Sequence, residues 1–168
     1  MRRTLSRRHG LALLLAAPAA GLGGCNLRPL YGKNEASLDA SLQATRILPL
    51  SDRLGQKLHN LLRDRINPFG QPSNPVYNLA VDLTRTETES GIREDETATR
   101  ITLTFSADYR LVTVEGKQTV AYGTTGAQAA YNILENRYST LVSQQAAEER
   151  ALVIIADAIT ARLGAALG

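Results

Sequence analysis

The sequence holds one cysteine, no tryptophan, two histidines and two phenylalanines among 168 residues. One cysteine excludes an intramolecular disulfide framework. The histidines, His9 and His59, stand far apart. No set of His, Cys or carboxylate residues has the spacing of a structural or catalytic metal site. No nucleophile elbow frames any serine, and the glycines around Gly123 and Gly126 make no phosphate-binding loop. There is also no apolar run of the roughly 20 residues that a membrane-crossing helix needs. These gaps argue against an enzyme, a resident metal and a spanning helix.

What is present begins at the N-terminus. Arg2, Arg3, Arg7 and Arg8 precede an apolar run from Leu11 to Leu22 that is broken once by Pro18. A basic head, an apolar middle and small residues before a cut make the layout of an export signal. The run closes on Leu22-Gly23-Gly24-Cys25, which resembles a bacterial lipobox and uses the lone cysteine. The expectation is a signal peptide over residues 1–24, cleaved before Cys25. Cys25 then carries a covalent diacylglycerol and an N-acyl lipid, and no other cofactor is expected. One acyl chain binds a membrane only marginally, whereas several together hold firmly. Ser6-Arg7-Arg8-His9-Gly10-Leu11 contains twin arginines, so Sec and twin-arginine export both stay open. Asn26 after the cysteine favours the outer membrane over inner-membrane retention.

The formal charge of +3 belongs to the leader. Four of the 19 basic residues lie before Cys25 and none of the 16 acidic ones do, leaving 15 against 16 in the remainder. A chain so balanced shows no electrostatic footprint for nucleic acid. Its length suits one domain with one core.

Residues 25–40 read as a tether, with Leu27-Arg28-Pro29-Leu30-Tyr31-Gly32 followed by polar residues. A first strand is expected from Ser41 to Leu50, ending at Pro49. Leu54, Leu58, Leu61, Leu62 and Ile66 recur at helical spacing behind a Ser51-Asp52 cap, and Asn67-Pro68 and Gly70 stop the helix. Tyr77, Leu79, Val81 and Leu83 then alternate with polar residues. The same face turns charged at Arg85, Glu87 and Glu89, so this strand is expected to run beyond the core to a hairpin tip at Gly91-Ile92-Arg93-Glu94-Asp95. Ile101, Leu103, Phe105, Ala107, Tyr109 and Leu111 alternate against Arg100, Thr102, Thr104, Ser106, Asp108 and Arg110. One apolar and one polar face mean a sheet covered on one side. Glu115-Gly116 turns into a weaker strand from Lys117 to about Ala127, and an irregular stretch reaches Thr140. A last helix is expected from Ser143 to Leu163, with Leu152, Ile155, Ile159 and Leu163 on one stripe and Gly164 as its stop. The order β-α-β-β-β-α predicts a single α+β domain over residues 41–168: a four-stranded, mostly antiparallel sheet with two helices on one face.

With catalysis unsupported, a surface remains. The Thr-rich polar face suits solvent, a partner's wall or a hydroxyl-rich, phosphorylated glycolipid. Arg85, Arg93 and Arg100 are candidate phosphate or carboxylate contacts, because a guanidinium offers a bidentate fork. Glu87, Glu89, Glu94, Asp95 and Glu96 lie among them, so a merely solvated tip is the plain alternative.

Taken in order, several stretches resemble LptE, the lipopolysaccharide-assembly lipoprotein family, in its alphaproteobacterial form. They are Cys25 with Arg28-Pro29-Leu30-Tyr31-Gly32, Leu54 to Asn67 closed by Pro68, and Gly91-Ile92-Arg93 before Thr97-Ala98-Thr99-Arg100. Tyr131-Asn132, Tyr138, Leu141-Val142 and Arg150-Ala151 complete the series. Asn26-Leu27 departs from the glycine and aromatic residue that relatives often carry there. The resemblance implies an outer-membrane lipoprotein seated as a plug inside the LptD β-barrel, supporting barrel assembly and lipopolysaccharide passage to the outer leaflet. It implies lipidation at Cys25 and lipopolysaccharide contact by Arg93 and Arg100. Two rival readings stay open: a free lipoprotein that binds a small ligand or peptide, and a structural lipoprotein of the envelope.

Overall fold

The strict alternation around Phe105 makes a strand with an inside and an outside, and the rest of the sheet is laid against it. The computed structural model describes residues 40–92, 98–116 and 118–168. The elements are β1 (Thr45–Ile47), α1 (Asp52–Ile66), β2 (Tyr77–Ile92), β3 (Ala98–Thr113), β4 (Thr119–Asn132) and α2 (Arg137–Leu167). They form one mixed sheet in the order β1-β2-β3-β4, with β1 parallel to β2 and the other pairs antiparallel. A helical turn over residues 40–43 precedes β1. With it the order is α-β-α-β-β-β-α, an α+β fold with the two expected helices on the apolar face.

Ile47, Leu79, Leu103, Phe105, Ala107, Tyr109 and Leu111 from the sheet are buried with Leu54, Leu58, Leu62 and Ile66 of α1. Ala147, Ala151, Leu152, Ile155, Ala156, Ile159 and Leu163 of α2 complete the core. Small residues line the contact between α2 and the sheet, with Ala121, Ala127 and Ala129 of β4 packed against the core. They let a helix about 46 Å long lie close along β4.

Several boundaries differ from the sequence reading; at the C-terminal end α2 runs through Gly164, the expected stop, to Leu167, where Gly168 N–H closes on Gly164 O at 3.1 Å. The first strand shrinks to three residues. Ala44 N–H closes a helical turn on Ala40 O at 2.9 Å, and Thr45 Oγ1 donates to Ser41 O at 3.3 Å. Beyond Ile47 pairing lasts one more bond, Leu48 N–H to Leu79 O at 2.9 Å, before Pro49, which has no N–H to donate. The cap of α1 comes from Asp52 rather than Ser51. Asp52 sits at φ +63°, a region aspartate tolerates better than most, and its Oδ1 accepts from Gly55 N–H at 2.7 Å. A Cβ on Gly55 would stand 2.9 Å from the Leu50 Cβ, so glycine is what lets Leu50 close over the helix start.

β4 extends to Asn132, well past the expected Ala127, because each residue continues the ladder with β3 until Asn132 faces Arg100. Strand pairing here overrides the weak propensity of Gly and Ala. At Gly126 the strands approach so closely that a Cβ would stand 2.7 Å from Phe105 O. α2 begins at Arg137 instead of Ser143, because Asn136 Oδ1 accepts from Tyr138 N–H at 2.9 Å and Ser139 N–H at 3.3 Å. That cap satisfies donors an uncapped helix leaves bare.

Leu152 is fully buried while its neighbour Ile154 is half exposed. Leu152→Ala should destabilise the domain by about 2–5 kcal/mol through lost burial and the cavity left behind. Ile154→Ala should stay within about 0.5 kcal/mol. Urea unfolding followed by far-ultraviolet circular dichroism measures both.

Candidate functional site

Among the described residues no element covers the polar side of the sheet, and strand register arranges it in rows. Thr88 faces Thr102, Thr86 faces Thr104 and Thr84 faces Ser106 across β2 and β3. Gln128 stands opposite Thr104 on β4. The result is an uncharged, hydroxyl-bearing field over three strands. Its chemistry is hydrogen bonding without fixed charge, which suits a wet contact.

Charge gathers at the two ends of that field. At the hairpin end Arg100 is exposed between Ser90 and Asn132. At the other end Asp82 faces Asp108, Ala80 faces Arg110, and Tyr122 stands opposite Arg110. These residues and Thr124 line a shallow groove of about 440 Å³. The Thr124 hydroxyl donates to Asp108 Oδ1, and Tyr122 rises from the surface as an exposed aromatic. Arg100 and Arg110 lie about 34 Å apart along β3, too far to hold one small anion together.

The helix-covered side has its own charged cluster. Glu148 of α2 is wholly buried, yet it lies on the helix's apolar stripe one turn before Leu152. Its Oε2 accepts from Arg53 Nη2 at 2.7 Å, and its Oε1 accepts from Arg85 Nη1 at 3.1 Å and Gln144 Nε2 at 3.2 Å. Arg85 also donates to Glu87 at 2.6 Å. α1, α2 and β2 therefore meet on one carboxylate, where the apolar face of β2 gives way to charge. Beside this cluster burial raises the Tyr131 phenol above its ordinary value, Glu87 adds to the rise and Arg85 opposes it.

The three arginines offered by the sequence thus separate. Arg85 faces the helices and is committed to Glu148 and Glu87. Arg100 keeps an open position on the other face. Arg93 and Cys25 lie outside the described residues, as do the signal at 1–24 and the tether up to residue 39. Sequence reasoning did not single out Glu148, although a carboxylate inside an otherwise apolar helical stripe was the available signal. It also missed the groove beside Tyr122, whose residues come from three strands. His59 sits half-buried on α1. Among the described residues no group of three or more His, Cys, Asp or Glu side chains is placed to hold a metal. No described helix is long and apolar enough to cross a membrane.

A two-helix layer on one face of a four-stranded sheet, with a polar face left open, is a fold shared with bacterial lipoproteins. A lipoprotein from Caulobacter crescentus superposes with a TM-score of 0.65 at 24% identity, over 79% of this chain and 96% of its own. A minor lipoprotein from Acinetobacter baumannii gives 0.54 at 16% identity, over 72% and 88%. The rare lipoprotein B from Shewanella oneidensis gives 0.50 at 12%, over 68% and 87%. At these identities the likeness concerns the fold. No curated protein matches in sequence. The family model of LptE, described as lipopolysaccharide-assembly, matches residues 39–163. The chain belongs to the LptE family.

Removing the Glu148 carboxylate strands two arginines. Breaking a fully buried pair costs about 3–5 kcal/mol, but Arg53 and Arg85 both reach solvent. Glu148→Ala should therefore cost less than that range, and Glu148→Gln less again, since the amide oxygen still accepts. Chemical denaturation ranks the two. The raised Tyr131 pKa stabilises the fold at pH below the unfolded phenol's value of 10.0, and that contribution disappears as pH climbs through the folded value. Tyr131→Phe should flatten the fall in stability above about pH 10, read from unfolding midpoints across alkaline buffers.

Proposed function

We propose that this chain is a lipid-anchored plug and assembly partner of an LptD-type β-barrel in the outer membrane, serving lipopolysaccharide transport to the outer leaflet. LptE family membership supports the lipopolysaccharide-assembly role. The observation that carries the finer reading is the open, hydroxyl-lined face of β2, β3 and β4. A lumen wall is wet and polar, and a face of threonine rows can exchange hydrogen bonds with water and wall alike without stranding a charge. Among the described residues no element covers this face.

In this reading the protein performs no catalysis. It contributes shape, a hydrogen-bonding surface and a few cations. Lipid on Cys25 holds it to the membrane, and residues 26–39 tie that anchor to the domain. Arg100, exposed at the hairpin end, and Arg93, which lies outside the described residues, are the candidate contacts to lipopolysaccharide phosphates, through charge-assisted, bidentate hydrogen bonds. A free lipoprotein with a small ligand is the second reading, favoured only by the groove at Asp82, Asp108, Arg110 and Tyr122.

The test is purification of the tagged, lipidated protein from its own envelope in a mild detergent, with mass spectrometry of what stays bound. A stoichiometric large β-barrel protein is the expected outcome. Arg93→Ala and Arg100→Ala should then reduce co-purifying lipopolysaccharide while leaving barrel recovery unchanged. Recovery of the protein alone at normal expression would overturn the plug.

A further inference from the structure

The sheet ends on β4, and among the described residues no strand pairs with its outer side. An edge strand presents a row of unpaired N–H and C=O groups, which proteins ordinarily blunt with charge, proline or a bulge. The two edges of this sheet differ in that respect. Beyond the three residues paired with β1, the free side of β2 carries Asp82, Arg85, Glu87 and Glu89. β4 runs for 14 residues with no charged residue and no proline. Its register irregularity lies at the start, between Leu111 and Val112 of β3.

Strand parity shows which backbone groups of β4 face that edge. In an antiparallel pair alternate residues turn their N–H and C=O away from the partner strand. Val114 N–H donates to Val76 O at 2.9 Å, so the even-numbered residues of β3 bond to β2. Asp108, which stands opposite Thr124, is one of them, and Thr124 therefore turns its own groups outward. A second contact agrees: Arg162 Nη1 of α2 donates to Thr124 O at 2.6 Å. The guanidinium occupies the place that a neighbouring strand's N–H would take. Tyr122, Gly126, Gln128 and Ala130 share the parity of Thr124, so their backbone groups face the edge as well.

α2 decides what can pair there, because it packs chiefly on β4. Neighbouring strands stand about 4.8 Å apart, whereas packed helices need about 8–10 Å between axes. Two copies joined β4 to β4 would crowd their α2 helices. An extended segment without a helix layer meets no such obstacle, and a membrane β-barrel offers segments of that kind in its turns and loops.

We propose that the β4 edge takes an extended segment of the barrel partner as a further strand, paired from Tyr122 to Ala130. An N–H of that segment replaces Arg162 on Thr124 O. Main-chain hydrogen bonds give such a contact its affinity. This rests on the plug reading.

The test is amide hydrogen exchange, resolved by residue, on the lipidated protein purified with its barrel and on the same protein without it. In the free protein the amides of Tyr122, Gly126, Gln128 and Ala130 should exchange faster than those of Gly123, Ala127 and Ala129. With the barrel bound they should slow by about tenfold or more. Proline at an outward position removes only a donor that the domain's own ladder leaves unused. Gln128→Pro should therefore keep the parent's circular dichroism and lose most of its barrel, whereas Gln128→Ala should keep both. Should Gln128→Pro not fold, the exchange comparison decides alone. Outward amides that exchange as fast with the barrel as without it overturn the strand pairing and leave the plug standing. Full barrel recovery by folded Gln128→Pro does the same. Slowing in barrel-free protein as its concentration rises assigns the edge to a second copy and also overturns the proposal. Recovery without any barrel overturns the plug, and the added strand falls with it.

Discussion

Burial of the sheet from one side only is the constraint on which the rest depends. β3 is paired along its length by β2 and β4, so its alternation sets inside and outside for three strands at once. A slip of one residue would turn Phe105 and Leu103 to water and bring threonines into the core. Both helices fill the apolar side, and among the described residues no element lies on the other. The hydroxyl rows, the groove beside Tyr122 and the exposure of Arg100 all follow from that asymmetry.

Along β2 the same constraint changes character. Leu79, Val81 and Leu83 pack toward the helices, but the next residue on that face is Arg85. An unpaired cation there would face the buried flank of α2. Glu148 supplies the partner and Arg53 shares it. One carboxylate thus joins two helices and a strand where apolar contact runs out. Such a clamp is weak evidence for net stability, because desolvation offsets much of the Coulomb gain. It ties α1, α2 and β2 together at the level of Phe105, and the start of α2 at Arg137 and the buried Leu103 and Tyr131 lie further toward the hairpin.

The two ends of the domain carry different parts of the chain. One holds the hairpin, Arg100 and the exposed start of α2, and the other holds the stretch around Gln43 and Ala44 through which the chain enters. Exposed apolar side chains stand at both, Tyr138, Leu141 and Val142 at the first and Phe69, Val76 and Val114 at the second.

How much of this was legible varied with sequence separation. The expectation of a leader ending before Cys25 was drawn from a local pattern alone, and those residues lie outside the described ones. The alternation of β2 and β3 and the stripes of α1 and α2 were equally plain, because periodicity records which side of an element is buried. From these the α+β class and the one-sided sheet follow. The end of β4 at Asn132 was not legible, since Gly and Ala have little strand preference and only pairing with β3 carried them. Nor was the separation of Arg85 from Arg100: both lie near the hairpin in sequence, but strand parity sends one to the helices and the other to the open face. The arginine partners of Glu148 lie 95 and 63 residues away. The sequence by itself determined most of the elements and their faces, because those depend on neighbours along the chain. Only the tertiary structure decided which charges meet and which surfaces stay open, because those depend on where the elements come to rest.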